Sequence, residues 1–168
     1  MQFDSQDPYE VVQPFGPVAL ARPLTHATYV PRASTPLYDA IGCGLIDLEA
    51  SLGKLLASER PAKVVFVVVT DGHENASREF SRERVLSMIG TKKAEGWEFV
   101  FLSADLASFD DAQSLGIPAD ARLLFSKTRK GNARAWASVS NKMVDFRNGV
   151  ADNLRFDDKD RGDQDDAR

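Results

Sequence analysis

The sequence predicts an α/β fold, a mostly parallel sheet with helices on both faces, and three observations carry that prediction. Val64 to Val69, within Lys63-Val-Val-Phe-Val-Val-Val-Thr70, is an uninterrupted apolar run rich in β-branched and aromatic residues, and Trp97-Glu-Phe-Val-Phe-Leu102 is much like it. Such runs read as strands buried on both faces. Helical patterns precede, separate and follow them, and the alternation of strand and helix specifies parallel pairing.

Each element has its own signal. In the first third, Gln2-Phe3-Asp4 is only a stub of strand, and Tyr9–Val12 and Val18–Leu20 read as extended segments forming an antiparallel pair or edge. Leu37, Ile41, Leu45, Leu48, Leu52 and Leu55 then make one apolar helical stripe, with Thr35 expected as N-cap and Pro36 at the first helical position. After the first long strand, Asp71-Gly72 is a turn signal. Ser81 caps a helix carrying Val85, Met88 and Ile89, which stops before Gly96. Beyond the second strand, Asp105 is expected to cap a short helix that Gly116 closes. Arg122–Phe125 is a weaker strand. A last helix from near Gly131 places Trp136, Val139, Met143 and Phe146 on one side and stops at Asn148-Gly149. Trp97 and Trp136 are both core candidates. The expected organisation is one domain over residues 1–150 and a disordered acidic tail over 151–168.

Composition narrows the function classes. The 168 residues are 43% hydrophobic and 27% charged, with a formal charge of −4. Residues 157–168 hold six Asp against three Lys or Arg, so the remainder is nearly neutral and has no basic field for a nucleic-acid backbone. The longest apolar run is too short to span a bilayer, and the acidic opening is not a signal sequence, so the expected setting is the cytoplasm. A single cysteine, Cys43, excludes an intrachain disulfide framework and a cysteine-built zinc site.

In an open α/β sheet, ligands bind beyond the carboxyl ends of the strands. Asp71 stands there, with Gly72 letting the chain turn away. Arg32-Ala-Ser-Thr35-Pro-Leu-Tyr-Asp-Ala-Ile41 and Val67-Val-Val-Thr70-Asp71-Gly72-His-Glu-Asn75 resemble the second and third metal-site motifs of bacterial von Willebrand factor A (vWA) domains. The stretches Ala76–Val85 and Gly96–Ala104 resemble the same family, as do Phe3-Asp4, Tyr9–Val12 and Tyr29–Arg32. The resemblance runs to about Ile117, more loosely to Gly149.

The resemblance implies a three-layer Rossmann-like sheet and a metal-ion-dependent adhesion site (MIDAS), usually holding Mg²⁺. Three loops build such a site: an Asp-x-Ser-x-Ser on the first, central strand, a Thr, and an Asp in a Thr-Asp-Gly turn. The last two map to Thr35 and Asp71. No Asp-x-Ser-x-Ser occurs before Phe3, and Phe3-Asp4 matches the end of the family's second strand, so the central strand is expected to be missing. Mg²⁺ binding is then expected to be weak or absent, because one carboxylate and one hydroxyl compete poorly with water for this ion.

The reading that follows is a non-enzymatic protein-binding module, N-terminally truncated, with an incomplete MIDAS. A late start codon, a gene fragment and a genuine short protein are the competing origins of that truncation. The expected partner is a protein offering an acidic side chain, with strand donation or dimerisation at the missing-strand gap and no nucleic acid or membrane. A metal-independent assembly protein on the same fold is the alternative. A haloacid-dehalogenase-like phosphatase using Asp71 is a poorer fit, because the second Asp that such chemistry wants two positions on is His73.

Overall fold

A computed structural model describes residues 1–30, 32 and 34–161. The chain forms an α/β structure divided into two compact units. One comprises Met1–Pro61 and Glu74–Met88; the other comprises Ala62–His73 and Ile89–Arg168.

In the first unit the main element is α1, Leu37–Gly53, whose buried residues include Leu37, Ala40, Ile41 and Leu45. The apolar periodicity predicts this helix correctly, but its start is built differently. Pro36 is the N-cap residue and no side chain of its own loop caps it, so Thr35 is not the cap. The exposed amides of the first turn are met from a distant segment instead. Ser77 Oγ accepts from Tyr38 N at 3.0 Å and Asp39 N at 3.1 Å, while Glu74 Oε2 accepts from Tyr38 N at 3.0 Å. A helix start needs acceptors for its first N–H groups, whichever part of the chain supplies them.

Asp39 binds the same segment in the other direction. Its buried carboxylate accepts from the backbone N–H groups of Arg78, Glu79 and Phe80 at 2.8–2.9 Å. These bonds hold Phe80 over α1 at Gly42, where an added Cβ would lie within 2.6 Å of its ring carbons. At Gly42 the close neighbour is therefore the Phe80 ring.

Among the described residues, the opening segment makes one antiparallel bridge, Gln2 with Glu10, and no longer strand. Val18–Leu20 is an exposed 3₁₀ turn and not the extended segment expected. Charge fixes this region: Arg32 Nε meets the buried Asp4 carboxylate at 2.7 Å, and Arg32 also pairs with Glu10.

The second unit contains a three-stranded parallel sheet: β1 (Val65–Val69), β2 (Glu98–Ser103) and β3 (Arg122–Leu124), in the order β1-β2-β3. Helix α2, Arg82–Ala94, starts after Ser81, whose Oγ accepts from Arg84 N at 3.3 Å, and ends before Gly96 at φ 87°. The division between the units falls within this helix. Helix α3, Ser108–Ser114, is followed by Gly116 at φ 73°. Helix α4, Arg129–Arg147, is capped by Thr128, whose Oγ1 accepts from Gly131 N at 3.0 Å.

The β2 strand is the centre of this unit, and its two faces pack separately. Val100 and Leu102 join Leu123, Ala135, Val139, Leu154 and Phe156 in one apolar cluster, with Val65, Val67, Phe125 and Met143 at its margin. On the other face, Phe101 meets Phe109 of α3 edge-on at 6.2 Å. By contrast β1 ends the sheet: only Val68 is buried and Val69 is exposed, so the expectation of burial on both faces holds for β2 and fails for β1.

Two further differences concern α4 and the end of the chain. Trp136 is exposed, and the core-facing positions are Ala135, Val139 and Phe146, a stripe shifted by one residue at its start. Residues 151–161 are not a solvated tail. Leu154 and Phe156 are buried in the cluster, Arg155 pairs with Glu98 at 2.5 Å, and a short helix α5, Asp158–Arg161, places Asp160 by Lys142 at 3.1 Å. The rest of the predicted tail, 162–168, lies outside the described residues. Two large apolar residues among eleven are enough to dock a segment when both are buried.

Candidate functional site

The carboxyl ends of three parallel strands make a rim, and the second unit concentrates polar groups there. At the end of β1, Thr70 N donates to Leu102 O at 3.1 Å, which carries the ladder one residue further. Thr70 Oγ1 then accepts from Gly72 N and donates to Gly72 O, each at 3.2 Å. This small hydroxyl-closed turn leaves Asp71 at its tip, with its carboxylate largely exposed. Lys127, which follows β3, brings its ammonium to 3.3 Å from Asp71 Oδ2. At the end of β2, Ser103 is buried, and its Oγ accepts from Asp105 N and donates to Asp105 O. Asp105 Oδ1 takes Ala107 N at 3.0 Å, but Ala107 is the N-cap residue of α3 and no side chain caps it, so Asp105 is not the cap expected. His73 Nδ1 lies 3.2 Å from Asp111 Oδ2 of α3.

Thr35 belongs to the first unit. Its N–H donates to Asn75 Oδ1 at 2.8 Å and its carbonyl accepts from Asn75 N at 3.1 Å. The preceding Ser34 has φ 70°, a left-handed conformation that a residue with a Cβ adopts at some cost. A loop held in such a conformation by reciprocal bonds has a fixed shape. Glu74 adds to it by accepting from Ala76 N, Ser77 N and Ser77 Oγ at 2.7–3.0 Å. The Thr35 and Glu74–Asn75 motif segments are therefore built together, whereas Asp71 is placed by the sheet of the other unit.

Thr35 belongs to the first unit and Asp71 to the second, where the Asp71 carboxylate faces the Lys127 ammonium. Among the described residues, no group of three or more His, Cys, Asp or Glu side chains converges as a metal-binding set.

Cys43 does not have the surroundings of a nucleophile. Burial, reinforced by Glu79, Asp39 and Asp7, raises its thiol above the ordinary value and so disfavours the thiolate. No protein-family model matches the chain, and neither curated proteins nor solved structures include a match. No helix among the described residues is long and apolar enough to cross a membrane.

The site residues that sequence reasoning missed are Asp39, Lys127 and Asp111. Asp39 lies inside the quoted Thr35 motif, but nothing in the spacing says that its carboxylate turns to residues 78–80. Lys127 reads as part of a solvated basic cluster with Arg129 and Lys130, and only the parallel order of β1, β2 and β3 brings it to the Asp71 turn.

Proposed function

We propose that the chain is a non-enzymatic protein-binding module of the vWA type, with Rossmann-like layering, no central Asp-x-Ser-x-Ser strand and an incomplete MIDAS. The observation that carries this reading is Asp71 at the tip of a Thr-Asp-Gly turn at the carboxyl end of a parallel strand. The locked Thr35 loop, bonded to the Glu74–Asn75 segment of the same motif, supports it.

The partner presents an acidic side chain. In a complete site a metal ion would receive it; on this rim the positive group beside Asp71 is Lys127. A carboxylate approaching the rim meets that ammonium, whose present pairing is exposed and correspondingly weak. Binding of this kind is independent of Mg²⁺ and falls with salt.

Two titrations test the reading. Calorimetry with Mg²⁺ should give no saturable heat; micromolar binding would overturn the incomplete site. Fluorescence anisotropy with Asp/Glu-containing peptides should show binding that persists in EDTA and weakens by about tenfold in Lys127→Glu. Equal binding by that variant would overturn the role of the rim. A phosphate-ester hydrolysis that disappears in Asp71→Asn would favour the phosphatase alternative; with His73 set against Asp111 in place of a second strand-end acid, none is expected.

A further inference from the structure

The outer edge of β1 carries an inference that does not depend on the family resemblance. Glu98 N donates to Val64 O and Thr70 N donates to Leu102 O, which fixes the phase of the ladder. In a parallel pair, alternate residues of one strand bond its neighbour. Residues 64, 66, 68 and 70 therefore face β2, and the N–H and C=O groups of Val65, Val67 and Val69 point the other way. The β1 strand is terminal in the sheet, and among the described residues no strand or bridge pairs with that side. Strands that remain at an edge usually carry a Lys, a Pro or a bulge that discourages pairing. The Val65–Val69 segment, Val-Phe-Val-Val-Val, carries none of these.

We propose that a second copy of this chain pairs with β1 across a twofold axis, antiparallel and centred on Val67. Antiparallel pairing requires outward-facing residues to meet outward-facing residues, and this register does so: Val67 meets its counterpart and Val65 meets Val69. The three pairs supply about six interchain hydrogen bonds, two per pair. The sheet becomes continuous through both copies, doubling its strands.

Charge selects the same register. Centring on Val67 sets Lys63 of one copy opposite Asp71 of the other, once at each end. Val65 and Val67 pack on the α4 cluster, Lys63 lies against Phe146 of α4 and Asp71 against Lys127, just ahead of α4, so both charges are on that side of the strand. Lys63 already donates to Phe146 O and lies over the Phe146 ring at 4.3 Å, leaving two of its three ammonium hydrogens for another acceptor. The exposed Asp71–Lys127 pair yields or shares at little cost. Parallel pairing in register would instead set Lys63 beside Lys63. A parallel ladder also staggers the bonding residues of its two strands, which two symmetry-related copies in register cannot do.

Sedimentation equilibrium of the 168-residue chain in EDTA tests this. A reversible monomer–dimer equilibrium is expected. Asp71→Lys, at an exposed position, should weaken it by about tenfold, because two ammonium groups then face each other at both ends of the pairing. The exchange Lys63→Asp/Asp71→Lys should recover most of that loss. Val67→Pro should abolish the dimer, because it removes the axial N–H without touching the bonds to β2; circular dichroism and thermal melting separate loss of pairing from loss of fold. A chain that is monomeric throughout, open-ended aggregation, or a dimer indifferent to Asp71→Lys would each overturn the proposal.

Discussion

Single buried or half-buried side chains decide local structure here, and Asp39 is the clearest case. Three backbone amides of residues 78–80 converge on its carboxylate. Asp39→Ala leaves those donors without acceptors in a buried place, a loss of about 3 kcal/mol or more by chemical denaturation. Asp39→Asn keeps one oxygen but turns an amide N–H₂ toward a donor, and should lose about 1–3 kcal/mol. Tyr9 provides a pH signature. Burial, followed by the hydrogen bond that its hydroxyl donates to Asp47 at 2.8 Å, pushes its pKa up to about 12. Folding therefore favours the neutral phenol. Its contribution to stability is complete below the unfolded value of about 10 and disappears as pH rises through about 12. Ultraviolet titration should show a late tyrosine transition that is absent in Tyr9→Phe and moved to lower pH in Asp47→Asn.

At the scale of elements, the sequence was most legible where a signal is local. The stripe Leu37, Ile41, Leu45 predicts α1, Ser81 predicts the start of α2, and Gly96 and Gly116 mark ends because a positive φ suits glycine. It was least legible where an element is completed by distant chain. The cap of α1 comes from Ser77 and Glu74, some forty residues away. The segment after Gly149 looked too polar to dock, yet Leu154 and Phe156 enter the α4 cluster and Phe156 N donates to Asp120 O at 2.7 Å. Phe156→Ala should cost about 3–5 kcal/mol, as for a buried phenylalanine, whereas Trp136→Ala on the exposed side of α4 should cost far less. Similar melting temperatures for the two variants would contradict the docking of this segment. The candidate site divides in the same way. Asp71 and its turn were readable because Thr-Asp-Gly after an apolar strand is a local pattern, whereas Lys127 was not, because only strand order connects it.

Across the whole molecule, the parallel sheet sets where the backbone is secure and where it is open. Both edges of β2 are bonded, and Phe99 to Leu102 are almost inaccessible to water, so its amides should exchange hydrogen most slowly. The β1 strand should instead alternate. Amides of Phe66, Val68 and Thr70 point into the ladder and should be slow, while those of Val65, Val67 and Val69 point outward and should be fast in dilute solution. If pairing of two copies closes that edge, the three fast amides should slow as concentration rises, and the amides of α1 should not change in step. Hydrogen exchange followed residue by residue at two concentrations reads this directly. A pattern without alternation would mean that β1 is bonded on both sides or not held in the sheet at all, and alternation that ignores concentration would leave the edge open and the chain monomeric.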